Sequence, residues 1–237
     1  MDFSTFRIML ISSIIYNDKE RLSKKEIIIK GILFYLKSIL ILIPLILLMI
    51  GILNLFNINT ESLKYIVVSD IKEFRIKGVL YMLFIVVFFG PFFEELTFRL
   101  GLSFRRTHIS ISTAALVYVI GSFLSGTGYF DYIQYKFPVS TLAGLLVWTL
   151  HQQTFDNIQR KYGRLLIWTS ILFFGFLHVS NFDMEANIWP LYFIMCLPQV
   201  VMGIVLVYYR LNLGFLYALA FHVALNGISF LISFKSF

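Results

Sequence analysis

Three short clusters in this sequence combine residue types and spacings that could do chemistry. The first is Glu94-Glu95-Leu96-Thr97-Phe98-Arg99, shortly after Gly90-Pro91. Glu95 and Arg99 are four apart, so in a helix they share a face and pair; Glu94 lies about 100° around the axis and lacks that partner. The second is Phe174-Gly175-Phe176-Leu177-His178, with Asn181 close behind. The third is His222-Val223-Ala224-Leu225-Asn226, where the spacing puts imidazole and amide on one helix face. A carboxylate can act as general base on a water with help from one histidine, while a second histidine and an amide steady a developing oxyanion. Alternatively, Glu94, His178 and His222 form a zinc ligand set of the hydrolase type. Both arrangements activate water.

Each cluster also has a plainer reading. Glu95 and Arg99 make an ion pair at a helix end, His178 is an interfacial residue, and His222 with Asn226 hydrogen-bonds between helices. Depth favours the joint reading. With Arg105, Arg164 and Arg210 as markers of one membrane surface, Glu94 lies about 16 Å in, His178 about 21 Å, His222 about 18 Å and Asn226 about 24 Å. Three separate helices deliver polar groups to nearly one level.

The elements that must carry these residues are transmembrane helices. Of 237 residues 59% are hydrophobic and 18% aromatic, only 14% are charged, and mean hydropathy is +0.82. Soluble domains carry about 25% charged residues. About seven spans are expected, near 31–56, 78–100, 108–125, 138–153, 164–180, 188–209 and 213–234, since a hydrocarbon core needs roughly 20 apolar residues per helix. Lys37 and Pro44 interrupt the first. The stretch from Phe3 to Tyr16 is short for a crossing and reads as an interfacial helix. The fold class is therefore an all-α polytopic bundle, one integral membrane domain over residues 1–237.

The net charge of +7 does not mark a nucleic-acid binder. Lys and Arg fall in short runs between apolar spans, as the positive-inside rule expects. Counted on alternate sides they number 12 against 6, which predicts a cytoplasmic N-terminus; the basic loop 57–77 is the misfit and reads as a surface helix. No cleavable signal peptide is expected, because residues 17–26 are charged and the apolar run after them is too long. Cys196 alone supports neither a disulfide nor a cysteine-based metal site.

Glu-Glu-x-x-x-Arg, then Phe-x-x-x-His, then His-x-x-x-Asn, each in an apolar helix, resembles the CAAX protease and bacteriocin-processing (CPBP, or Abi) family of intramembrane proteases. The likeness covers about residues 85–230, and Gln199 to Asn226, with Gly203, Arg210 and Gly214, is especially similar to the family's last two core helices. The resemblance implies that Glu94 and His178 activate water, that His222 and Asn226 form the oxyanion site, and that Glu95 with Arg99 holds the helix in place. It also implies a metal-free, glutamate-based hydrolysis, although relatives are often labelled metalloproteases. One departure stands out: 83 positions separate Glu95 from His178, where relatives have about thirty-odd. The extra residues, about 108–153, read as an inserted helical hairpin. It contains a rival histidine, His151, which lacks the Phe-x-x-x-His form and lies about 13 Å from the level of Arg160.

The expected function is an intramembrane endopeptidase acting on a protein or peptide at the lipid bilayer, with no cofactor and zinc as the alternative. Two further readings use the same residues. One is a non-catalytic scaffold or immunity-type partner; the other is a proton-coupled carrier, for which no matching pair of broken helices is visible. Abundant Ile, Phe and Lys with little Ala suggest a bacterial source and hence a bacterial cell membrane.

Overall fold

The computed structural model describes residues 22–55, 78–125, 131–182 and 188–235. The segments read above as an interfacial helix (3–16) and a surface helix (57–77) lie outside the described residues. Those described form an all-α bundle of eight helices: α1 Lys24–Leu55, α2 Val79–Phe98, α3 Arg106–Leu124, α4 Ile133–Trp148, α5 Gln152–Leu177, α6 Trp189–Met195, α7 Leu197–Asn212 and α8 Phe215–Lys235.

The sequence explains the ends of these helices. α1 starts at a capping box, in which Ser23 N–H donates to Glu26 Oε2 (2.7 Å) and Glu26 N–H donates to Ser23 Oγ (3.3 Å). It then runs unbroken through Lys37 and Pro44. α2 passes Pro91 by widening into a π-helical turn over Leu83–Phe89. α7 and α8 are joined at Gly214, whose φ of +106° suits a residue without a Cβ.

Among the described residues five helices, α1, α2, α3, α5 and α8, are long and apolar enough to cross a membrane. α6 and α7, bent by 40° at the break between them, pass the same test together and make six if counted as one span. The remaining expected span, 138–153, is α4, which begins at Ile133 and has 16 residues, about 24 Å of rise. The expected loop before residue 164 is helical: α5 begins at Gln152, whose side chain accepts from Arg106 N–H (2.9 Å) and donates to Phe104 O (2.9 Å). That anchoring ties the polar first half of α5 to the start of α3.

α7 is the central helix. It packs on α1, α5 and α8, and its buried face runs through Met202, Gly203, Ile204, Val205, Leu206 and Val207. Close approach depends on small residues, since a Cβ on Gly175 of α5 would fall on Val200 of α7. α3 and α4 form a hairpin against α2, to one side of this core.

Candidate functional site

The helix turn carrying Glu94 and Glu95 is held at its end by three other helices. A helix leaves its last carbonyls without intrahelical donors. Here Ser112 Oγ of α3 donates to Thr97 O (2.7 Å), and Ser170 Oγ of α5 donates to Phe98 O. Arg210 of α7 donates through Nε to Arg99 O (3.0 Å) and through Nη2 to Leu100 O (3.1 Å). No sequence signal marks these as anchors: Ser112 and Ser170 are single hydroxyls in apolar helices, and Arg210 reads as a surface marker within the segment that resembles the family.

On this turn Glu95 and Arg99 pair as their spacing predicts, Nη1 to Oε1 at 3.2 Å, both fully buried. The guanidinium also lies 3.7 Å from the centroid of the buried Phe174 ring, a cation–π contact. His222 of α8 closes the group. Its Nδ1 lies 3.0 Å from Glu95 Oε1, and its Nε2 faces Glu94 Oε2 at 3.5 Å. A carboxylate only accepts, so Nδ1–H is the donor to Glu95, and this bond sets which ring nitrogen looks at Glu94. Burial is uneven: Arg99 and Glu95 are 0% exposed and His222 1%, whereas Glu94 is 26% exposed.

His178 follows the last residue of α5 and opens a short 3-10 turn, His178–Asn181. Its Nδ1 lies 2.8 Å from Phe174 O. The carbonyl can only accept, so in the neutral ring the free lone pair sits on Nε2. Phe174 meets both imidazoles edge-on, with centroids 5.0 Å from His178 and 5.6 Å from His222. Among the described residues no hydrogen bond or ion pair links Glu94 to His178; the carboxylate faces His222 instead. Asn226 donates through Nδ2 to Val86 O (3.1 Å). In the five-residue register of the π turn the donor for that carbonyl would be residue 91, a proline without an N–H. Asn226 therefore supplies the bond that Pro91 cannot, and one N–H of its amide stays available.

The structure thus brings Glu94, Glu95, Arg99 and His222 into contact, sets His178 one ring away across Phe174, and ties Asn226 to the π turn that precedes the Glu94 segment. His151 stands apart: exposed, it precedes the first residue of α5, while His178 follows the last, a separation of about 40 Å along the helix. Among the described residues no group of three His, Cys, Asp or Glu side chains is disposed as metal ligands, and the Glu94, His178 and His222 set does not form one.

Comparison with curated proteins finds no match, and neither does comparison with solved structures. A family model described as type II CAAX prenyl endopeptidase Rce1-like matches residues 76–228, which include all of these site residues.

Proposed function

Because the chain belongs to the Rce1-like family of type II CAAX prenyl endopeptidases, we propose that it cleaves a membrane-associated protein or peptide with Glu94 as general base on water. The observation that carries this reading is the uneven burial of the charged cluster. Glu95, Arg99 and His222 are sealed, and of the four only Glu94 keeps exposed side-chain surface, its Oε2 being turned inward to His222. A base must touch its water; Glu95 and Arg99 hold the turn, and His222 turns its Nε2 to the Glu94 side.

In the proposed step Glu94 takes a proton from water, helped by the Nε2 lone pair of His178. The oxygen attacks the scissile carbonyl carbon, and the negative charge moves to the carbonyl oxygen. His222 Nε2, when protonated, and the second N–H of Asn226 are the donors for that oxyanion. The C–N bond then breaks, and the proton held by Glu94 passes to the departing amine. Glu95 keeps His222 turned to the site.

The site-bearing core is α2, α5, α7 and α8, which pack on one another without α3 and α4, so we read that hairpin as an insertion. The structure also gathers Lys24, Lys25, Arg105, Arg106 and Arg210 toward one end. Tyr209 Oη donates to Ile28 O (2.7 Å), and Arg106 lies over Trp148 (4.8 Å). This supports a cytoplasmic N-terminus, and the composition favours a bacterial cell membrane.

The test is terminal-peptide profiling of membranes from cells expressing wild type or Glu94→Gln. The reading predicts new C-terminal or membrane-proximal termini in wild type only. Identical profiles would overturn it.

A further inference from the structure

The site residues fall on two levels. His178 is four residues beyond Phe174 on α5, and Asn226 four beyond His222 on α8. Each therefore stands one turn, about 5.4 Å, further from the basic end. α7 runs the opposite way, and its Gly203 lies at the level of Phe174. A Cβ there would meet Phe174 Cδ1 at 3.1 Å, Ile171 O at 3.3 Å and Arg99 Nη2 at 3.5 Å. The residue one turn away on the same face, at the deeper level, is Gln199.

Gln199 therefore projects toward the centre of the bundle, level with His178 and Asn226. Its neighbours agree with that direction, since Val200 packs on Gly175 of α5 while Tyr209 packs on Gly31 of α1. Its Oε1 is fully buried and has no hydrogen-bond partner among the described residues. Apart from Ser122 Oγ, the other buried atoms in that condition belong to Glu94, Glu95 and Arg99, so Gln199 extends the same set. A buried carboxamide acceptor without a partner is costly to keep. Its chemistry is that of a peptide-bond receptor: it offers a carbonyl and an NH2, and a peptide bond offers an N–H and a carbonyl.

We propose that Gln199 positions the substrate by pairing its carboxamide with a main-chain amide next to the scissile bond. This deepens the peptidase reading and rests on it. Sequence likeness assigns this residue no such role; the placement comes from the Gly203 contacts and the unpaired Oε1.

The test uses the full-length protein in liposomes with a fluorogenic peptide ending in a farnesylated Cys-aliphatic-aliphatic-X sequence, or a junction peptide found by terminal profiling. For wild type, Glu94→Gln and Gln199→Leu, kcat and KM are measured on the peptide and on analogues with one backbone N–H replaced by ester oxygen. That replacement removes the donor and weakens the carbonyl as acceptor, so it reads both ends of the pairing. Gln199→Leu should lower kcat/KM about 10-fold, and one ester analogue should lose a similar factor with wild type but nothing further with Gln199→Leu. A merely structural role would leave the ester penalty additive at every position. Additive penalties or an unchanged kcat/KM would overturn the assignment while leaving Glu94 in place. If wild type cleaves no more than Glu94→Gln, the peptidase reading fails and the role of Gln199 falls with it. Should Gln199→Leu not accumulate, Gln199→Met reads the same cycle.

Discussion

The core around Glu94 and the α3–α4 hairpin solve opposite problems in one membrane. In the core, Glu95, Arg99 and His222 are sealed inside apolar helices. On α4 of the hairpin, Tyr135, Phe137, Leu142, Leu145 and Leu146 face outward, and Ser140 and Gly144 are the buried positions. Those two sit four apart, and Gly144 lies against Ser110 and Ala114 of α3, the small-residue packing that lets helix backbones approach in lipid. Apolar surface costs nothing against lipid, so α4 needs no core. A charge inside costs at least about 2.5–3.5 kcal/mol, so the core sets its charges against one another, Arg99 on Glu95 and His222 between the two glutamates, while serine and arginine anchors hold the turn's carbonyls. Expense therefore locates function here better than burial does.

The comparison breaks most severely at Arg99. Arg99→Leu leaves Glu95 buried with only His222, a loss of about 3–5 kcal/mol, and should appear as a collapse of the monodisperse detergent-solubilised fraction. Milder in fold but strong in function, His178→Ala should keep the protein intact and lower kcat about 10²–10⁴-fold, the range of a lost acid–base group. A retained rate would detach His178 from the chemistry. On the hairpin side, Gly144→Leu places a side chain where even a Cβ comes within 2.9 Å of Ser110 O. It should cost about 1–3 kcal/mol in thermal unfolding while the folded fraction keeps its kcat. At the bottom of the scale, His151→Ala should change neither rate nor stability measurably; a rate loss beyond about tenfold would move the site toward the hairpin.

Much of this was legible in the residues. The apolar runs foretold the membrane bundle, and the four-residue spacing of Glu95 and Arg99 foretold their pair. Pairings across helices were not legible, because they depend on how helices rotate about one another. Depth alone placed Glu94 near two histidines; rotation chose His222 and put Phe174 against both rings. Asn226 shows the same limit: its hydrogen bond to Val86 O follows from the π turn at Pro91, which hydropathy does not report. Helix ends went astray where polar residues continue a helix. The polar stretch 154–163, expected as a loop, folds as helix because α5 starts at Gln152, whose amide bonds Arg106 N–H and Phe104 O. Gln199 stood in view as one polar residue in an apolar span, and only the contacts of Gly203 show where it points.

The central claim is that one reachable carboxylate, held by sealed partners, deprotonates the attacking water. It is tested most directly by the single-turnover cleavage rate of purified wild type and Glu94→Gln in liposomes, at matched thermal stability. The account predicts a loss of about 10²-fold or more for Glu94→Gln. Equal rates at equal stability would contradict it.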